Sequence, residues 1–211
     1  CTENKIAIIP FGGGSSVVGG IDSRKGNNDY SCCLDLLLMN KVISIDKESM
    51  LAEIEGGIFG PELEEELNKE GFTLGHFPQS FEFSTLGGWI ATRSSGQNSI
   101  LYGGIEKLVN SISIVNANGL LKTFNTPRMA VGPNMNEILL GSEGRFGIIY
   151  SATMKIKPIP KEKKYILYLF PDFTSAKNAC RELAQSNLHP AMIRVSDEYE
   201  THALLTMSKS K

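Results

Sequence analysis

Cysteine, histidine and tryptophan are scarce in this chain, and their spacing excludes several chemistries. The four cysteines (Cys1, Cys32, Cys33, Cys180) form no Cys-x-x-Cys pair, so neither a zinc knuckle nor a redox dithiol is expected, and free thiols in a reducing compartment are. His76, His189 and His202 stand far apart with no carboxylate pattern around them, which argues against a metal centre. No apolar run reaches the ~18 residues of a membrane span, and no signal peptide opens the chain. An excess of basic charge is missing too. The formal net charge of −2 offers no footprint for nucleic acid or an acidic membrane surface. With 41% hydrophobic and 21% charged residues over 211 positions, the remaining class is a soluble globular protein of one large domain or two small ones. The chain starts at Cys1 and stops at Ser208, Lys209, Ser210 and Lys211. Both ends read as cut points, and the tail is not a Ser-Lys-Leu address.

Glycine is the residue present in quantity, at 21 positions gathered in short patches. The first patch follows an apolar run, Ile6 to Ile9, that reads as a buried strand ended by Pro10, which has no N–H for the next rung. Gly12, Gly13 and Gly14 come next, then the hydroxyls of Ser15 and Ser16, and Val17 and Val18 lead back toward the core. Three residues without Cβ let backbone N–H groups converge on one concavity, as a phosphate requires. No Lys-Ser/Thr follows the glycines, so this is not a nucleotide P-loop. Nor does a long helical pattern with an acidic residue ~20 positions on follow, as a Rossmann turn needs.

Farther along, residues 30–48 read as two short strands about a Met39-Asn40-Lys41 turn, and Leu51–Glu55 as another strand. Pro61 suits the first turn of a helix whose Leu63 and Leu67 share one face, with the run Glu62, Glu64, Glu65 and Glu66 as a mostly solvated face and Gly71 as the stop. The second patch, residues 79–96, mixes six hydroxyl residues with glycines. A short helix from about Ser84 would bury Leu86, Trp89 and Ile90 and offer its N-terminus to an anion. Residues 108–124 read as a hairpin turning at Asn118-Gly119. Residues 136–141 read as a short helix. A third glycine patch, 142–147, opens a strand from Ile148 to Lys157. After the hydrophilic link 161–164, a strand at Tyr165–Phe170, a helix from Phe173 to Asn187 capped by Thr174, and a strand at His189–Asp197 are expected. The inward face of that helix would carry Ala176, Ala179, Cys180, Leu183 and Ala184.

The ordered set Pro10–Val17, Leu86–Thr92, Tyr102-Gly103 and Gly141–Ile149 resembles the vanillyl-alcohol-oxidase-type FAD-binding family. The stretch Pro78–Gly96, with Pro127-Arg128-Met129, Gly132-Pro133 and Ile193-Arg194, is similar within it to the alkyldihydroxyacetonephosphate synthases. The likeness runs from about residue 6 to 197. It implies an α+β, two-subdomain FAD-binding (PCMH-type) fold, residues 1–160 with subdomains at about 1–55 and 56–160. Residues 161–211 would begin a substrate or cap domain.

The resemblance also implies roles for residues. Pro10, Phe11, Gly12, Gly13, Gly14, Ser15 and Ser16 would wrap the FAD pyrophosphate. Gln79, Ser80, Phe81, Glu82, Phe83, Ser84 and Thr85, with Thr92, Arg93, Ser94 and Ser95, would line the diphosphate, ribityl chain and flavin. Glu143, Gly144, Arg145, Phe146, Gly147, Ile148 and Ile149 would hold the adenosine side. Arg128 and Arg194 are candidates for the substrate phosphate, because a guanidinium presents a bidentate fork. The sequence departs from the family pattern at Ser15-Ser16, at Gln79 in place of an aspartate, and at Arg145-Phe146. No His or Cys lies in the glycine loops, so non-covalent FAD is expected.

The implied activity is ether-lipid synthesis, in which the fatty acid of acyl-dihydroxyacetone phosphate leaves and a fatty alcohol takes its place without net redox. The substrates are then acyl-dihydroxyacetone phosphate and a fatty alcohol, the compartment peroxisomal. Homodimerisation and peripheral membrane association of the full-length protein fit the same picture, and no nucleic-acid partner does. The family's catalytic tyrosine and histidines lie in a C-terminal half beyond these residues, so no catalytic residue is assigned here and the chain alone should bind FAD without turnover. Two other readings stay open. One is an FAD-dependent 2-hydroxy-acid dehydrogenase of the D-lactate or glycolate type; the other is a non-catalytic binding module.

Overall fold

The computed structural model describes residues 1–208; the reading of the final Lys209–Lys211 lies outside the described residues. Its centre is a five-stranded antiparallel sheet in the order β3-β4-β8-β6-β7, where β3 is Val42–Asp46, β4 Leu51–Glu55, β6 Val109–Asn116, β7 Gly119–Lys122 and β8 Ile148–Lys155. Two small sheets flank it. β1 (Ile6–Phe11) pairs in parallel with β2 (Tyr30–Asp35), and β5 (Phe72–Thr73) pairs with β9 (Lys157–Pro158). The helices are α1 (Gly60–Lys69), α2 (Leu86–Thr92), α3 (Ser99–Tyr102), α4 (Ile105–Leu108), α5 (Met135–Leu139), α6 (Phe173–Gln185) and α7 (Glu198–Ser208).

Alternation explains which side of the sheet is covered. In β4, Ala52 and Ile54 point into the core while Leu51, Glu53 and Glu55 stay half-buried. Against that face lie Leu63 and Leu67 of α1, Leu86, Trp89 and Ile90 of α2, and Ile105 and Leu108 of α4, joined in one cluster with Ile112, Ile114, Ala152 and Met154 of the sheet. The expected helical faces of α1 and α2 are therefore the buried ones. In β6 the alternate residues Ser111 and Ser113 are buried as well, and Ser111 donates to Thr153 Oγ1 at 3.0 Å.

Several local expectations are corrected. Pro10 does not end β1, which runs on through Phe11, because β1 has a neighbour on one side only and an edge strand tolerates proline. Residues 30–46 do form two strands, but they join different sheets. β3 and β4 both precede residue 56 and belong to the central sheet, which therefore spans the expected subdomain boundary. The hairpin turns at Ala117-Asn118, since Asn116 pairs with Gly119 and the Asn116 side chain accepts from the Asn118 N–H at 2.9 Å. Glu64 leaves the solvated face of α1. It is buried and accepts from the Thr73 hydroxyl at 2.6 Å and from the N–H groups of Leu74 and Gly75, both at 3.0 Å, which offsets the cost of burying a carboxylate.

The C-terminal part departs most. Neither Tyr165–Phe170 nor His189–Asp197 forms a strand, for no neighbour offers either a ladder. Helix α6 is capped by Asp172, not Thr174; the Asp172 carboxylate accepts from the Ser175 N–H at 2.7 Å. Ala176 is buried and Ala179 and Cys180 half-buried, but Leu183 and Ala184 are exposed.

Candidate functional site

The three glycine patches, far apart in sequence, meet at one cavity of about 380 Å³, a size typical of ligand pockets. The strand-end loop after β1 forms one wall, the segment Ser80–Ser94 with α2 forms the floor, and the turn into β8 forms the third side.

The first wall is locked in place by backbone proximity. A Cβ on Gly13 would lie 1.8 Å from the carbonyl oxygen of Phe83, and one on Gly12 would lie 2.3 Å from Thr85 Oγ1. Glycine is needed here so that two loops can touch. The touching leaves a free donor set: among the described residues, the backbone N–H groups of residues 12–18 donate to no protein acceptor. Pro10, Gly12, Gly13, Gly14, Ser15 and Ser16 all line the cavity, whereas the Phe11 ring turns back toward Gly14.

The floor is built from α2. Its N-terminal N–H groups are not available to an anion, contrary to the expectation for this helix. Leu86 N–H donates to Ile58 O, Gly87 N–H to Gly56 O, and Gly88 N–H reaches Thr85 Oγ1 at 3.4 Å. The unbonded N–H groups at the cavity therefore lie in the glycine loop. Ser84 is saturated: it donates to Ser80 O at 2.7 Å and accepts from Trp89 Nε1 at 2.7 Å and from Ser80 Oγ at 3.0 Å. Thr92 donates to Gly88 O at 2.9 Å. The Trp89 ring lies between Phe81, stacked at 6.2 Å, and His76, edge-on at 5.1 Å. Burial pushes the His76 imidazole down to about 4, so it is neutral at physiological pH. Its Nε2 is 2.8 Å from Ser94 Oγ, and Ser94 lines the cavity.

Of the second predicted group, Ser80, Ser84, Thr85, Thr92 and Ser94 line the cavity. Gln79, Glu82, Phe83 and Ser95 are exposed beside it, and Phe81 packs under Trp89. Arg93, in the left-handed cap of α2, pairs with Glu137 at 2.6 Å rather than entering. Of the third group, Glu143, Gly144, Gly147 and Ile149 line the cavity, while Arg145, Phe146 and Ile148 do not. Glu143 is the one carboxylate on the lining, which suits hydroxyl or amine donors at that end. Arg128 sits exposed in the loop before α5, and Arg194 is exposed and paired with Glu200; neither lines the cavity.

The motif reading leaves out nine lining residues: Val17, Val18, Gly20, Ile21, Leu36, Gly87, Gly88, Trp89 and Ala91. Gly88 carried a usable signal. It lies four residues before Thr92, so helical spacing puts both on one face. A Cβ there would meet nothing nearer than Thr85 Oγ1 at 3.4 Å, so its side faces the cavity. Unbonded N–H groups in a glycine cradle, hydroxyls on the floor and a small-residue helical face together fit an elongated ligand with phosphate groups.

Comparisons with known proteins agree with that geometry. A family model described as FAD binding domain matches residues 1–125, and one described as the C-terminal domain of FAD linked oxidases matches residues 159–211. An alkyldihydroxyacetonephosphate synthase of Dictyostelium discoideum is 45% identical over 206 residues, covering 98% of this chain and 34% of its own length. The mitochondrial D-lactate dehydrogenase (cytochrome) of Arabidopsis thaliana is 31% identical over 208 residues, covering 97% and 35%. A solved structure of an alkyldihydroxyacetonephosphate synthase superposes with a TM-score of 0.89 at 44% identity, over 96% of this chain and 36% of that one. The chain spans about a third of the length of the curated relatives it matches.

Proposed function

The chain belongs to the FAD-binding domain family, and from that premise we propose that it is the cofactor-binding part of an alkyldihydroxyacetonephosphate synthase. The whole enzyme would exchange the acyl group of acyl-dihydroxyacetone phosphate for a fatty alcohol, giving the ether bond of ether lipids. The observation that carries the FAD assignment is that residues 12–18 line the cavity with backbone N–H groups that, among the described residues, donate to no protein acceptor. The pyrophosphate carries about two negative charges, and this row supplies unbonded donors for them. When bound, FAD supplies the flavin ring at which the exchange proceeds without net oxidation or reduction. The Gly12–Ser16 loop would hold the pyrophosphate, Gly88 and Thr92 of α2 would contact the ring system, and residues 143–149 would meet the adenosine end.

For the substrate phosphate we propose Arg128 and Arg194. Arg128 has no ion pair among the described residues, so it is free to bind, whereas Arg194 must first leave Glu200. Peroxisomal location, homodimerisation and membrane association belong to the proposal on the strength of the resemblance alone.

The 31% identity to a D-lactate dehydrogenase supports the second reading, a 2-hydroxy-acid dehydrogenase using the same cavity. The higher identity to the synthases, over a similar span, favours the first. The test is an absorption titration of the purified chain with FAD, followed by acid precipitation. Saturable binding, with the flavin recovered in the supernatant, is expected. Flavin held in the pellet would overturn non-covalent binding, and no binding would overturn the cofactor assignment. The chain alone should show no alkyl exchange.

A further inference from the structure

His76 is buried, and its Nδ1 is the one buried side-chain nitrogen or oxygen without a hydrogen-bond partner among the described residues. The ring has little freedom to seek one. Glu64 holds the N–H groups of Leu74 and Gly75 just before it, and the Trp89 ring meets it in a T-shaped contact. A neutral imidazole carries its proton on one nitrogen or the other. A proton on Nδ1 would be a buried N–H with no acceptor, and orphaned N–H groups are rarer in native proteins than underused acceptors. Nε2 has a partner at 2.8 Å, the Ser94 hydroxyl.

We propose that His76 is a positioning residue locked in the Nε2–H tautomer, which donates to Ser94 Oγ and thereby turns the Ser94 hydroxyl proton toward the cavity. Ser94 then acts as a dedicated donor to an acceptor atom of the ligand. In the opposite tautomer Ser94 would spend its proton on His76 and show the cavity only lone pairs, which repel the carbonyl and phosphate oxygens of a flavin nucleotide. Burial keeps the imidazole neutral through the physiological range, so the polarity of Ser94 does not reverse there. The inference about the ligand rests on the FAD reading; the tautomer does not.

Two experiments separate them. In the first, long-range proton–nitrogen correlation spectra of the histidine-labelled, FAD-free chain at pH 7 report the tautomer, with the His76 signal assigned by its loss in His76→Gln. A protonated Nε2 and bare Nδ1 are expected; a protonated Nδ1, or a charged ring, would overturn the proposal whatever FAD does. In the second, FAD titrations compare four variants. His76→Met and Ser94→Ala should each weaken binding about five- to tenfold, the double variant no further than either single one, and His76→Gln, whose amide N–H still donates, should restore most of the affinity. A His76→Met effect that persists undiminished in the Ser94→Ala background would overturn action through Ser94. Absence of FAD binding in the unmodified chain would overturn the cofactor reading and leave the tautomer result standing.

Discussion

Two short segments of this molecule, one alternating Val and Ile with Ser and Asn and one apolar throughout, meet opposite surroundings. Val109–Asn116 is the strand β6, paired on one side with β8 and on the other with β7, and Val109 through Ile114 are all buried. Among the described residues no strand lies beside Tyr165–Phe170, and Leu167 is 82% exposed. Composition does not explain this, since the segment that is apolar throughout is the exposed one and the half-polar one is the buried strand. They differ in what lies beside them. A strand is stabilised by the backbone and side chains of its neighbours, and those neighbours come from distant parts of the chain. The strands of the central sheet find all their partners between Val42 and Lys155, whereas Tyr165–Phe170 pairs with no described strand.

The comparison can be sharpened by substitution. Ile112→Ala in β6 should cost about 2–5 kcal/mol in urea unfolding, as cavity-forming core changes do. A loss below 1 kcal/mol would mean that β6 does not hold the core. A pH series examines the same region without mutation. The folded pKa of His76 lies near 4 against 6.5 for the ordinary group. The stability its neutrality contributes is therefore fully present above pH 6.5 and is lost as the pH falls toward 4, because the unfolded chain takes up a proton that the folded one refuses. The loss should amount to about 3 kcal/mol. It should shrink markedly in His76→Gln, and an equal loss in that variant would assign the effect to other groups.

Gly88→Ala tests the cavity face, with two effects of opposite sign. Replacing glycine inside α2 should raise the stability of the free chain by about 1 kcal/mol, because a Cβ there has room. The same methyl intrudes on the ligand's side of the helix and should weaken FAD binding roughly tenfold. A variant that is both less stable and unchanged in affinity would show that Gly88 packs against protein. The smallest effect belongs to the exposed run. Leu167→Ser should change stability by no more than about 0.5 kcal/mol, and a larger loss in thermal unfolding would show that Tyr165–Phe170 is covered in solution.

These two regions also show what was legible from sequence. Local signals were read well: Pro61 and the Leu63–Leu67 spacing of α1, the Leu86, Trp89 and Ile90 face of α2, and the glycine patches that come together at the cavity. What failed needed knowledge of distant partners. Pro10 is tolerated because β1 lacks a second neighbour, and Glu64 is buried because Thr73, Leu74 and Gly75 meet it from outside its helix. The strand expected at Tyr165–Phe170 failed for the same reason in reverse. In the candidate site, hydroxyl and glycine residues revealed the lining. The pairing of His76 with Ser94 did not show, for 18 residues separate them and only the packing of α2 brings them together.

The position of Trp89 has a practical consequence. It is the one tryptophan in the chain, it lies on the cavity floor, and its indole N–H is tied to Ser84. Indole emission from this protein therefore originates at the candidate site and nowhere else. Energy transfer from the indole to a bound flavin would quench that emission in proportion to occupancy. The protein thus carries its own optical gauge of the cavity, readable at concentrations far below those that absorption requires.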